Sequence, residues 1–278
     1  MREQIRVTQP APGYWRAEFS NPPINLIDLD TITQLSDLIS SLEQDPSVKV
    51  VVFASADPDF FMAHYDVLID KARTAAMPLG PTGMHPWLDV LVRISRVPVV
   101  TIAAIRGRAR GAGSEFVLAC DMRFASAEKA FLGQFEVGVG AVPGGNPMVR
   151  LAGLAGRGRA LEVILGADDF RGDLAERYGY VNRALPDDEL DAFVDAFARR
   201  IAGFEKEALV AAKRLVDETS LPDDALFPPA LDEFFRSVAR PETKARMSRL
   251  LAAGLQTRSE VELDLGRHVA QPTEARTD

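Results

Sequence analysis

The sequence predicts an α/β fold with crossover connections, followed by a helical C-terminal part. Two observations carry this. Short β-branched apolar runs, Val48–Ala54, Pro98–Ile105 and Met122–Ser126, alternate with helical patterns. After about Leu185 the texture becomes amphipathic helix throughout, and no strand-like run appears before Val261. The composition agrees: 278 residues, 47% apolar and 26% charged, are enough to bury a full core without disulfides or a structural metal.

In order along the chain, residues 1–20 read as two strands, IRVT and YWRAEF, joined by a Pro-Gly turn. Asn21–Asp28 (NPPINLID) is a Pro-rich loop. Leu35, Leu38, Ile39 and Leu42 then recur at helical spacing, predicting a helix over 29–43. The run 48–54 is short and follows Asp-Pro, which favours a buried strand over a helix. A second pair follows, helix 86–96 and strand 98–105. The segment GRARGAGS reads as a Gly-rich turn, 112–120 as a short helix and 122–126 as a strand. Helices are expected over 187–202, 205–218, 229–238 and 243–253. These place a boundary near residue 203, between a core of residues 1–203 and a helical module of residues 204–278. The polar tail from Gln271 reads as frayed.

Charge and cysteine usage narrow the function. Asp and Glu outnumber Lys and Arg by 40 to 32, a net charge of −8, which argues against general nucleic-acid binding. The single cysteine, Cys120, cannot form an intrachain disulfide, as expected of a reducing, cytoplasmic setting. The N-terminus lacks the apolar run of a secretory signal. No stretch reaches the ~18 apolar residues of a membrane span. CxxC and HExxH are absent, and His64, His85 and His268 are too scattered for a metal cluster.

The segment IRGRARGAGSEFVLACD is the most informative. Gly111 and Gly113 lie between a buried strand and a helix, where unpaired backbone N–H groups point outward at the positive end of the dipole. Such a terminus holds an anion or a developing oxyanion, and equally serves as a tight turn with no ligand. Glu115 stands in the first turn of that helix, as a dipole-favoured acid or a functional one. Glu136, in LGQFEVGVGAVPGG, is either an exposed loop acid or its partner. Two carboxylates brought together in an apolar site would repel and raise one pKa, separating an acid from a base. Ser114 follows Gly113, yet GAGSEF is not the G-x-S-x-G of a serine hydrolase. Cys120 reads as core, and Phe60, Phe61 and Trp87 as pocket or core walls. His85 lies in a lid-like loop between Ala75 and Pro86.

Over almost its whole length the chain resembles the enoyl-CoA hydratase/isomerase family, which has the crotonase fold. The matching segments are NPPINLID, DPSVKVVVFAS, FFMAHYD, IAAIRGRARGAGSEFVLACDMRFAS, LGQFEVGVGAVPGG and GRGRALEVILGADDFRGDLAERYGYVNRALPDDEL. The resemblance implies a spiral of ββα units with a helical C-terminal trimerisation module, as a trimer or a dimer of trimers. It implies an acyl-CoA thioester substrate, CoA entering as part of that substrate, with no metal or redox cofactor. The thioester oxygen would be held by the backbone N–H groups of Tyr65 and Ala112, and the catalytic pair would be Glu115 and Glu136. Ala63, His64, Asp66, Gly111 and Gly144 would line the substrate site, with Gly144 helping to place the reacting water.

Several positions depart from the family pattern. The first loop, usually Ala-Gly-Ala-Asp, is Ala63-His64-Tyr65-Asp66. The usual Gly-Gly-Gly turn is Gly111-Ala112-Gly113. Asp59 and Leu68 stand where some relatives have basic residues that hold CoA phosphates. Arg106, Arg108 and Arg110 fall on one side of an extended chain, suited to those phosphates or to acids at a subunit interface. His64 is expected to face the acyl group or the thioester and to favour a polar or acidic acyl substituent. The expected reaction is hydration of an enoyl-CoA. The alternatives are double-bond isomerisation on the same scaffold and a non-catalytic acyl-CoA-binding subunit.

Overall fold

The computed structural model describes residues 2–69 and 71–271. The tail after Gln271 lies outside the described residues. The chain begins β1 (Ile5–Ala11), β2 (Tyr14–Phe19), α1 (Leu29–Gln44), β3 (Val50–Ser55), β4 (Phe60–Met62), α2 (Lys71–Ala76) and α3 (Pro86–Arg96). It continues β5 (Val100–Ile105), β6 (Arg108–Arg110), α4 (Ala112–Ala119), β7 (Met122–Ser126), β8 (Phe131–Gly133), α5 (Pro147–Ala155) and α6 (Arg157–Gly166). Next come β9 (Asp169–Arg171), α7 (Gly172–Tyr178), β10 (Arg183–Leu185) and α8 (Leu190–Ala202). The last helices are α9 (Lys206–Ser220), α10 (Phe227–Val238), α11 (Pro241–Ala252), α12 (Glu260–Leu263) and α13 (Leu265–Val269).

The strands form two sheets. One runs β1-β2-β3-β5-β7-β10, antiparallel at β1/β2 and parallel beyond. The other runs β4-β6-β8-β9. Each successive unit places its first strand in the larger sheet and its second in the smaller one: β3 then β4, β5 then β6, β7 then β8. A helix follows each pair. This is the crotonase-like spiral of ββα units.

The long strands and the helices expected over 29–43, 86–96, 112–120 and 187–202 lie within a few residues of those bounds, while α2, α5, α6 and α7 had no expected counterpart. The local pattern also missed the smaller sheet. GRARGAGS, read wholly as a turn, contains β6, and three-residue strands are too short to show a period of two. Val261, the first strand-like residue of the C-terminal part, instead lies in the one-turn helix α12.

Burial explains the sequence texture. β3 is covered on both faces, as parallel strands are, and so reads VVVFAS without alternation. Val51 and Phe53 face α1, α3 and α4 in the main core, while Val50, Val52 and Ala54 meet Leu190, Val194 and Ala198 of α8. Helix α4 is buried on every side, so it shows no amphipathic stripe. The C-terminal part folds back: Leu250, Leu255, Val261, Leu265 and Val269 pack on Phe135 and Val139. Among the described residues, no helix is long and apolar enough to cross a membrane.

The loop 21–28 ties the two sheets together through Asn25. Its side-chain amide donates to Ser55 Oγ (2.8 Å) and to the carbonyls of Phe60 (3.1 Å) and Phe61 (3.3 Å). Its own carbonyl accepts from the Ala63 N–H at 3.3 Å. Asn25 is buried at φ +54°, a left-handed conformation that Asn tolerates well. Replacing Asn25 with Ala leaves buried carbonyls under-satisfied. The variant should lose about 1–3 kcal/mol in urea unfolding; a loss within error would show that the loop docks without this amide.

Candidate active site

Two carboxylates converge on the N-terminus of α4. Glu115 is in its first turn, 3% exposed. Glu136 opens a short 3-10 turn after β8 and is 8% exposed. A Cβ on Gly111, the residue before α4, would stand 2.6 Å from Glu136 Oε1, and a Cβ on Gly145 would collide with Glu115 Oε2. Each carboxylate therefore rests on bare backbone. Gly111 also takes φ +49°, which a side chain would strain.

The two acids differ in their partners. Glu115 Oε2 accepts from the Trp87 indole N–H at 2.7 Å, and its Oε1 accepts from the Gly145 N–H at 2.8 Å. Burial raises the Glu115 pKa, while these two bonds and the Arg150 charge pull it back. Glu136 has no comparable help, and its Oε2 is buried without a hydrogen bond. Burial, and then the negative charge of Glu115, push its pKa up to about 8. Because the Glu115 charge is itself one of the causes that raise Glu136, Glu136 is the carboxyl that keeps its proton to the higher pH.

Beside them lie two backbone donors. Helix α4 packs against β4, and β4 runs directly into Ala63–Asp66. The loop is pinned to residue 27 on both sides of Tyr65: the Ile27 N–H donates to the His64 carbonyl and the Asp66 N–H to the Ile27 carbonyl, both at 2.9 Å. This turns the Tyr65 N–H away from Ile27, with no acceptor among the described residues. The Ala112 N–H, at the first position of α4, likewise has none. The Tyr65 ring meets Trp87 edge-on, with centroids 6.5 Å apart.

The remaining expected residues divide. Ala63 is fully buried beside Ile24 and Phe60. Gly144 faces Leu231 and Phe234 of α10, and it is the neighbouring Gly145 that reaches Glu115. Asp66 caps its own loop through the Leu68 N–H and also accepts from Gln256 Nε2 at 2.6 Å.

The expectation for the His64 side chain is corrected. It does not point into free space beside the thioester. It is 1% exposed, with Nδ1 2.8 Å from the Tyr65 carbonyl and Nε2 2.9 Å from Glu262 Oε1. Its ring tilts against Phe135. A buried imidazole must satisfy both nitrogens, and the C-terminal segment supplies the second partner.

The arginine expectation is corrected too. Gly107, at φ +76°, turns the chain, so the three residues do not share one side. Arg106 pairs with Asp187 and Asp191. Arg108 donates to the Leu263 carbonyl, and Arg110 binds Asp169 and the Glu262 carbonyl. All three are engaged within the chain.

His85 caps α3 by accepting from the Trp87 N–H, and burial lowers its pKa. Ser114 shares its hydrogen bond with the Tyr180 hydroxyl and has no histidine partner, which removes the serine-hydrolase arrangement. Cys120 is buried with its thiol pushed up to about 12, an inert core residue.

Sequence reasoning read Trp87 only as a wall and did not identify Gly145, Gln256 or Glu262. Trp87 carried one usable signal: a buried indole N–H needs an acceptor, and Glu115 is the buried acid at hand.

The pattern of the enoyl-CoA hydratase/isomerase family matches residues 15–226. A crotonyl-CoA hydratase of Syntrophomonas wolfei is 30% identical over 231 residues, covering 82% of this chain and 87% of its own. The human mitochondrial methylglutaconyl-CoA hydratase is 30% identical over 234 residues, covering 82% and 67%. A crystal structure of a candidate enoyl-CoA hydratase from Streptomyces avermitilis is 44% identical, with a TM-score of 0.92 and coverage of 98% of both chains. On the family match across most of its length, the chain belongs to the enoyl-CoA hydratase/isomerase family.

Proposed function

We propose that this protein adds water across the 2,3-double bond of an enoyl-CoA thioester. The observation that carries the reading is the pair of buried carboxylates with unlike partners, next to two unpaired backbone N–H groups. The Tyr65 and Ala112 N–H groups hold the thioester oxygen as negative charge builds on it, each typically worth ~10²–10³ in rate. Glu115, whose carboxylate the Trp87 and Gly145 bonds favour against burial, removes a proton from the water that attacks C3. Glu136, which keeps its proton to about pH 8, delivers it to C2. Proton count balances over the cycle once the two carboxyls re-exchange. The hydratase names of the relatives support the same reaction class.

One observation favours isomerisation instead. Both Glu115 oxygens already accept a hydrogen bond, and only Glu136 has a free one. A single carboxyl suffices to move a proton along an acyl chain. The deciding experiment is a panel of crotonyl-, longer-chain and aromatic enoyl-CoA thioesters with product mass as the readout. A gain of one water supports hydration; unchanged mass with a shifted double bond supports isomerisation.

Glu115→Gln and Glu136→Gln should each lower turnover by about 10²–10⁴ with smaller effects on KM. Full activity in Glu115→Gln would leave isomerisation by Glu136 as the better account. The pH profile should fall on the alkaline side near the Glu136 value of about 8, because an acid must be protonated to act. On the acid side, activity requires ionised Glu115. Trp87→Phe removes a donor that lowers the Glu115 pKa, so that limb should move to higher pH; an unmoved limb would exclude Glu115 as its source.

Assembly as a homotrimer, or a pair of trimers, is the quaternary state we propose. Helix α9 buries none of its residues in this chain and leaves Leu215 and Val216 exposed, as does the neighbouring Phe204. Light scattering should give three or six times the 30.3 kDa chain mass, and a stable monomer at micromolar concentration would refute it.

A further inference from the structure

We infer that the C-terminal segment 256–262 positions the Tyr65 N–H through a buried His64–Glu262 pair. Glu262 is thus a positioning residue for the site. This rests on the reading of the Tyr65 N–H as an oxyanion donor.

The geometry is specific. The Tyr65 carbonyl and the Glu262 carboxylate are both acceptors, and His64 sits between them with one nitrogen on each. A neutral imidazole has a single N–H and satisfies only one of two such acceptors. With Glu262 ionised, both bonds require the doubly protonated ring, a buried ion pair. Burial opposes the charge on His64, but the Glu262 carboxylate and the two hydrogen bonds outweigh it and raise its pKa. The same pairing lowers Glu262 against its own burial.

The pair is held from behind. Glu262 Oε1 also accepts from the Gln256 N–H at 2.7 Å, and Arg110 donates to the Glu262 carbonyl while paired with Asp169. Gln256 makes a second attachment. Its side chain accepts from the Val67 N–H and donates to Asp66 Oδ1, both at 2.6 Å. Its backbone is left-handed at φ +67°. The loop that presents the Tyr65 N–H is therefore fixed at Ile27 on one side and clasped at His64, Asp66 and Val67 on the other. His64 grips the carbonyl of Tyr65 itself, the residue whose N–H is left without an acceptor. A shift of about 1 Å in such a donor can cost on the order of 10²-fold in rate.

The test uses the full chain, crotonyl-CoA as substrate, and amide hydrogen exchange of a peptide spanning residues 63–67. Glu262→Ala should speed exchange in that peptide and lower kcat at least tenfold, with KM changed less than about threefold. His64→Gln, which keeps a donor to Glu262 but loses the bond to the Tyr65 carbonyl, should do the same, and serves if Glu262→Ala does not fold. Glu262→Gln with its amide oxygen at the Oε1 position still accepts from the Gln256 N–H and from the imidazole Nε2–H, but it cannot hold the second proton on the ring. Its exchange and kcat should fall between those of wild type and Glu262→Ala. Unchanged exchange in Glu262→Ala or His64→Gln, or faster exchange with unchanged kcat, overturns the proposal. So does a Glu262→Gln variant as slow as Glu262→Ala.

Ala112→Pro separates this from the reading it rests on. It deletes the other donor at the first position of α4, where proline is best tolerated. If that variant folds and turns over at the wild-type rate, the oxyanion reading fails. The exchange measurements then still decide whether the clasp exists.

Discussion

The constraint on which the site depends is the burial of two carboxylates at one end of α4. An isolated ionised carboxylate taken out of water costs several kcal/mol, and two side by side cost more. The fold meets this in two different ways. Glu115 receives an indole N–H from α3 and a backbone N–H from the loop before α5, so its charge is compensated. Glu136 has only its own backbone N–H to set against burial, its Oε2 has no partner, and it keeps its proton to about pH 8. The asymmetry of partners thus makes Glu136 the acid that loses its proton last, which is what the proposed acid–base chemistry on adjacent carbons needs.

A neutral Glu136 also protects the neighbouring backbone donors. Two full negative charges at the α4 terminus would oppose any further negative charge on a bound carbonyl oxygen. On the proposed reading, one protonated carboxyl leaves at most a single, already hydrogen-bonded anion near the Tyr65 and Ala112 N–H groups and the positive end of the helix dipole. The elements that set this up come from different turns of the spiral. β4 leads to Tyr65, β6 leads to Ala112 and Glu115, and β8 leads to Glu136. The short strands of the smaller sheet line up the ends of three units, so the site is a property of the repeated topology and not of any one loop.

Much of this was legible in the sequence where the signal was local. The buried strands announced themselves by β-branched runs, α1 by its apolar spacing, and Glu115 by an acid in an apolar first turn. Glu136 carried no local signal that it meets Glu115, and only the resemblance paired them. The three-residue strands were illegible for want of length. The Trp87–Glu115 bond spans 28 positions, and the His64–Glu262 bond spans 198. No periodicity reports a contact of that range. The arginines misled for a different reason. Strand alternation was extrapolated through Gly107, whose positive φ breaks it.

The departure at position 64 shows how a site absorbs an unusual residue. Where the family pattern usually has Gly, this chain places a ring inside protein, and a buried imidazole with an unmet nitrogen would cost on the order of 1–3 kcal/mol. One nitrogen finds the Tyr65 carbonyl within the loop. The other needs an acceptor from elsewhere, and α12 supplies it in Glu262, which is itself fully buried. A buried carboxylate demands donors in turn, and His64 and the Gln256 N–H are those donors. Each group is thus tolerable only because the others are present. Removing one partner leaves an uncompensated charge or an unmet donor, while removing several together would be milder. His64, Gln256 and Glu262 therefore form one unit that links the C-terminal segment to the first site loop, and a Gly restored at position 64 would leave Glu262 stranded unless it changed as well.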